Sequence, residues 1–397
     1  MGAARTGTPH LLSGLIASGV AVAVLFAGEM AISHLERITV PSTASELFSL
    51  KTQGLAFQRA AVRAADVLPL YGSSELTNPP VPERASIFFC TAPTGFQVSP
   101  VGNGGMASLI VLQKVAALGS DLRGKKLAIS LSPGWFLTPN PRWRAYEGNF
   151  SLMAASEMAF GTALDFKLKR EIASRMLERP NTLEKSLLLK FALSRLASDQ
   201  WLDRVVFCAL WPLGKMQNAV MELQDHLAAV DYIWHEIKPA RRCYSEFLEW
   251  RKLIAKVSAP KNPEEDKIEK ASNLDVQITP GFRDVAFQIR MNAAPEWINL
   301  ELLLRTLASV HARPLLLSMP IAGQFYDQAG MSRSARESYY ERLRALAQRY
   351  NVTLIEFKEH DEDPAFLYRH QSHLTAKGWI FYDRALDHFF HARIPRT

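Results

Sequence analysis

Cysteine is scarce in this chain: Cys90, Cys208 and Cys243 are the three in 397 residues. An odd number so widely spaced supplies neither a disulfide framework nor a metal-ligand pattern. All three read as small buried hydrophobes, and Cys90 falls in an apolar run, 86–90, that reads as a core strand. Long uncharged apolar runs are nearly missing too, with 11–28 the one stretch of that kind. There is no dinucleotide fingerprint, because the glycines of 102–105 have the wrong spacing for it. No internal repeat is visible. What is present is ample core-forming material: 48% of the residues are apolar and 21% charged, which excludes a disordered or low-complexity chain. The length allows one large or two ordinary domains. Lys and Arg number 46 against 39 Asp and Glu, a net charge of +7. That excess suits an anionic partner or surface without choosing between nucleic acid, lipid headgroups and a phosphate polymer.

The run 11–28 (LLSGLIASGVAVAVLFAG) carries no charge. As a helix it would rise roughly 27 Å, enough for a hydrocarbon core. Arg5 and His10 precede it, and Glu29, Glu36 and Arg37 follow. The positive-inside rule then puts the N-terminus in the cytoplasm and the remaining chain outside. A cleaved signal peptide is the alternative. Ala21-Val22-Ala23 has the small-x-small form, but Val24-Leu25-Phe26 carry the apolar run past it, and after Gly28 the form fails at Phe26. A buried core helix is the third reading. Length favours an uncleaved single-pass anchor in the cell membrane. The expected organisation is a cytoplasmic N-terminus (1–10), a transmembrane anchor (11–32), a membrane-proximal stalk (33–66) and an extracytoplasmic domain (67–397). A second apolar stretch, 201–216, is broken by Asp203, Arg204, Pro212 and Lys215; a membrane-surface or domain-core helix suits it better than a span.

Short apolar runs followed by turn residues recur: 67–71, 127–131, 314–319 and 352–357. Between them lie amphipathic patterns, with Leu109, Leu112 and Ala116 on one stripe and Tyr339, Leu343, Leu346 and Tyr350 on another. Alternation of that kind predicts an α/β fold with a parallel sheet covered by helices on both faces. Residues 140–278 break the rhythm and read as a helical insertion.

Three segments are expected at the C-terminal ends of the strands, where open α/β sheets place their sites. The first, Tyr71-Gly72-Ser73-Ser74-Glu75-Leu76, is a strand end that projects a serine from a tight turn at a helix start; a plain helix N-cap is the ordinary alternative. The second, Gly102-Asn103-Gly104-Gly105, allows close backbone approach to a ligand and offers N–H groups and an amide to an oxyanion, although plain Gly-rich loops look the same. The third, Tyr368 to Leu374, holds His370 and His373 before a final helix. A late histidine is well placed as a general base, since a neutral imidazole accepts a serine proton near neutral pH. The two histidines also have the spacing of half a zinc site, but no third ligand is evident. No metal or cofactor is expected.

Taken in order, the nucleophile turn, the Gly/Asn loop, the turn Ser132-Pro133-Gly134-Trp135-Phe136 and the late histidine resemble the SGNH (GDSL-type) esterase fold. Within it the chain is similar to the DltD family, the D-alanyl transfer proteins of cell-envelope polymer modification. The resemblance rests on the N-terminal apolar run, YGSSEL (71–76), GNGG (102–105), KKLAISLSPGWF (125–136), PIAGQFYDQAGMSRSARESYYERL (320–343) and HLTAKGW (373–379). It implies a three-layer sheet with a helical insertion, with Ser74 as nucleophile and His373 as base. The family's acid stands three residues before that histidine, where this chain has His370; Glu359, Asp361, Glu362 and Asp363 are substitutes nearby. Gly134 stands where the family has glutamine. Gly102, Asn103, Gly105, Ser132 and Trp135 become oxyanion or substrate contacts, and Trp135 with Phe136 an apolar wall. The implied reaction is transfer of a D-alanyl group through an acyl-serine to a hydroxyl of a teichoic-acid-like polymer. The implied partners are a membrane O-acyltransferase, a D-alanyl carrier protein, the anionic polymer and the membrane, with no nucleic acid. Trp201, Trp211, Leu213 and Met216 are candidates for a surface that meets the membrane or the acyltransferase. An SGNH esterase or thioesterase and a non-catalytic assembly factor are the competing readings.

Overall fold

The computed structural model describes residues 9–139, 143–236, 248–258, 278–279, 281–368 and 373–392. Cys243 and His370 lie outside them. Five strands form one sheet: β1 (Val67–Gly72), β2 (Gln97–Gly102), β3 (Lys126–Leu131), β4 (Arg313–Ser318) and β5 (Thr353–Glu356), in the order β2-β1-β3-β4-β5 and all parallel. β1 and β2 are buried along their full length, as strands covered on both faces must be. Alternate side chains enter opposite cores. Tyr71, Leu127, Ile129, Leu131 and Leu316 join one apolar cluster, while Leu68, Leu70, Ala128, Leu315 and Leu317 join the other.

The N-terminal third carries α1 (Pro9–Thr43), α2 (Ser49–Gln53), α3 (Ala56–Arg63), α4 (Ala85–Thr91) and α5 (Ser108–Leu118). The middle carries α6 (Trp143–Asn149), α7 (Leu152–Phe160), α8 (Phe166–Leu177), α9 (Pro180–Leu183), α10 (Leu187–Ala197), α11 (Trp201–Glu236) and α12 (Trp250–Ser258). Then follow α13 (Asp284–Asn292), α14 (Glu296–Ser309), α15 (Gly323–Gln328), α16 (Arg333–Arg349) and α17 (Ala376–His391). Helices α5, α7, α8, α10, α14 and α16 build the larger core, and α4 and α17 the smaller, so the sheet is the middle of three layers. Several helices start on a side-chain cap: Asp165, Ser186 and Ser332 accept from the N–H three residues on.

Two local expectations are corrected. Residues 86–90 are not a strand but most of α4, whose Phe89 packs on Phe96. A short apolar run has no periodicity with which to tell the two apart. Cys208 is not buried; it is exposed on α11, while Cys90 is half-buried beside Gln97.

Helix α1 changes character along its 35 residues. Leu12, Leu15, Ile16, Val20, Val24, Phe26 and Met30 are all exposed, whereas Val40 and Glu36 are buried against the domain. Glu36 meets His226 of α11 at 2.7 Å, and the Lys51 ammonium donates to the carbonyls of Thr43, Ala44 and Glu46, closing the helix end. Among the described residues no helix is long and apolar enough to cross a membrane; positions 11, 21, 22 and 25 of the apolar run have side chains outside that description. On α11, Trp201, Leu213 and Met216 are exposed, and Trp211, at its edge, donates its indole N–H to the Phe160 carbonyl at 2.8 Å.

Candidate active site

Strand β1 ends beside β2, with Gly72 paired to Gly102. A Cβ on Gly102 would collide with the Gly72 carbonyl oxygen, so glycine lets the two strand ends close up. Beyond Gly72 the Ser73 N–H donates to Glu75 Oε1 at 2.8 Å, and the Ser73 hydroxyl accepts from the Gly105 N–H at 2.8 Å. Ser73 thus ties the turn to the Gly-rich loop. Ser74 opens a 3-10 turn, Ser74–Leu76, and its carbonyl accepts from Thr77 and Asn78. As first residue of that turn, its own N–H has no acceptor within it.

His373 comes to the same place from the far end of the chain. Leu367 and Leu374 pair antiparallel, and the Tyr368 N–H donates to the His373 carbonyl at 2.8 Å. Thr375 caps α17 immediately after. With Leu374 fully buried as a peg, the imidazole points back across the sheet edge, and its Nε2 stands 2.8 Å from Ser74 Oγ. Burial holds the His373 pKa below the ordinary histidine range, which favours the neutral, proton-accepting ring.

Three of the four acids before it are engaged elsewhere. Asp361 accepts from the Ile321 N–H at 2.8 Å and the Tyr340 hydroxyl at 2.6 Å, and burial pushes its carboxyl up to about 7. Glu362 pairs with Arg336 at 3.0 Å and Asp363 with Lys377 at 2.7 Å. Glu359 lies 3.9 Å from His360. Among the described residues none of them bonds His373.

Of the other expected contacts, Asn103 is exposed and its Oδ1 accepts from the Gly104 N–H at 2.8 Å. Gly105 has φ 79°. Asn149 holds the loop from α6 by donating to the Gly104 carbonyl at 3.0 Å. Ser132 is buried at the end of β3, next to β1, and Trp135 lies nearby with Gly105 in the wall of a cavity. Phe136 is no wall: it is buried in the core against Trp297 and Tyr339. Tyr146, Arg179, Glu296 and Asn299, which line the same cavity, had no signal in the sequence, because they come from α6, the turn before α9 and α14. Glu75 also escaped notice. It is fully buried beneath the turn, and burial pushes its carboxyl up to about 7. Among the described residues no group of three or more His, Cys, Asp or Glu side chains is placed to hold a metal ion.

Sheet and site together define a class: a parallel α/β protein with a serine–histidine pair at the carboxyl edge of its first strand. The chain belongs to the DltD protein family, whose model matches residues 44–391. It is similar to Protein DltD of Bacillus subtilis (strain 168), 25% identical over 382 residues that cover 92% of this chain and 95% of that protein. It is also similar to Protein DltD of Staphylococcus aureus (strain NCTC 8325 / PS 47), 22% identical over 355 residues covering 88% of this chain and 87% of that protein.

Proposed function

We propose that the chain is a membrane-anchored acyltransferase of SGNH type, acting in the D-alanylation of teichoic acids in which the DltD family takes part. The observation that carries the reading is the 2.8 Å contact between Ser74 Oγ and His373 Nε2. As Ser74 attacks the carbonyl carbon of a D-alanyl donor, His373 takes its proton and passes it to the departing group of the donor, leaving an acyl-serine. A polymer hydroxyl then attacks that ester, loses its proton to His373, and the proton returns to Ser74. The Ser74 N–H and the Asn103 amide face the developing oxyanion; the Gly105 N–H is occupied by Ser73 in this state. The donor arrives through a membrane O-acyltransferase and a D-alanyl carrier protein. Exposed apolar residues on α1 support the anchor, with residues 1–10 in the cytoplasm and 67–397 outside.

Fluorophosphonate labelling tests the chemistry. Wild type should label, Ser74→Ala should not, and His373→Gln should label far more slowly. Folded wild type that fails to label sinks the acyl-serine and leaves the non-catalytic assembly factor, which His370 in the acid's place and the engagement of Asp361, Glu362 and Asp363 elsewhere favour. If the protein labels but turns a D-alanyl ester over at the same rate with and without polymer, it is a hydrolase. Recovery of the full chain in the soluble fraction removes the anchor.

A further inference from the structure

A cavity of about 50 Å³, open to solvent, lies beside the Gly-rich loop. Gly105 lines it, and the Gly105 N–H donates to the hydroxyl of Ser73, the residue before the nucleophile, at 2.8 Å. Arg179, only 6% exposed, lines the same cavity. Its guanidinium lies over the rings of Trp143 at 4.9 Å and Tyr146 at 4.7 Å, a double stack that fixes its plane. Among the described residues its oxygen partners, the Arg175 carbonyl at 2.9 Å and the Glu178 carboxylate at 3.7 Å, both meet Nη1. Nε is buried with no acceptor. A guanidinium is a fork of five donors matched to two oxygens of one anion, and here most of the fork is unused.

Glu296, in the same wall, attracts the Arg179 guanidinium electrostatically but does not bond to it. Glu296 Oε1 accepts from the Ser108 N–H at 2.7 Å, which ties α14 to α5, and Oε2 accepts from the Asn299 amide of its own helix at 3.1 Å. The Asn299 oxygen accepts from Arg175 at 3.1 Å. Arg179 is therefore the charged group of this wall with donor capacity to spare.

We propose that this cavity is an anion subsite in which Arg179 holds a phosphodiester of the acceptor polymer while a hydroxyl of the adjoining polyol unit reaches Ser74. The assignment of the anion to an acceptor rests on the acyl-transfer reading above; the anion site itself does not. It also gives the transfer a direction, because an acceptor carrying phosphate is held and water is not.

Titration of the full-length chain with glycerol phosphate, inorganic phosphate and glycerol tests it. Both phosphates should bind wild type and Ser74→Ala alike, and glycerol should not. Arg179→Ala should weaken phosphate binding about tenfold to hundredfold, the loss expected for charge-assisted hydrogen bonds, with Arg179→Lys between the two. Fluorophosphonate labelling of Ser74 should persist in Arg179→Lys, which controls for folding and separates the two proposals. Phosphate binding that depends on Arg179 without any Ser74 labelling keeps the subsite and removes the acyl transfer. Phosphate affinity unchanged in both Arg179 variants, or absent in a wild type that labels, overturns the subsite.

Discussion

His373 Nε2 and Ser74 Oγ, 299 residues apart in sequence, stand 2.8 Å apart in space. The imidazole is half-buried, and burial favours its neutral form. The sign for reactivity follows. A base works when unprotonated, so lowering its pKa extends the active range toward acid. The rate of Ser74 labelling should therefore rise with pH along a limb whose midpoint lies below 6.5, the ordinary histidine value. A midpoint above 6.5 contradicts the burial argument. His373→Gln should slow labelling by roughly 10²–10⁴-fold.

The acids before the histidine should be dispensable to the chemistry. Asp363 is held by Lys377, and Asp361 by Ile321 and Tyr340. Asp363→Asn and Asp361→Asn should leave the labelling rate within about threefold of wild type, whereas loss of an acid that orients the base costs orders of magnitude. A hundredfold loss in one of the two, with the fold intact, would identify it as the third member of a triad.

Gly105 should tolerate no side chain. Its φ of 79° disfavours an L-residue, and a Cβ there would come within 2.5 Å of Ala145 Cβ. Gly105→Ala should lower stability by about 1–3 kcal/mol. It should also slow labelling, because the shifted loop loses the bond from the Gly105 N–H to Ser73 Oγ. Chemical denaturation and the labelling rate check the two effects separately; an unchanged labelling rate removes the loop from the site.

How much of this the sequence disclosed depended on how far each feature is local. Strands β1, β3, β4 and β5 were legible because continuous apolar runs ending in turn residues have few other uses in an α/β chain. β2 was hidden by Gln97, Ser99 and Pro100, which an edge strand can carry since one side of its backbone is unpaired. The segments holding Ser74 and His373 could be named because each follows or precedes a recognisable element, while their separation is a product of sheet order. Arg179 and Glu296 were invisible: both look like surface charges until the packing of α8, α9 and α14 buries them.

Glu75 offers a test of the turn that does not depend on turnover. It is fully buried, and its carboxyl is raised by burial from 4.5 to about 7 while Oε1 accepts the Ser73 N–H. The folded chain thus holds this proton more tightly than the unfolded chain. Its contribution to stability is complete below about 4.5 and is lost as pH rises through about 7. Over that window the loss is on the order of 3 kcal/mol. Other buried carboxyls shift stability in the same direction, so the comparison must be with a variant. Glu75→Gln keeps an oxygen for Ser73 and removes the titration. The difference in unfolding free energy between wild type and Glu75→Gln should therefore move against wild type between pH 5 and about pH 8. A difference that stays flat across that range means Glu75 is charged and solvated, and the buried turn described for Ser73 and Ser74 is wrong.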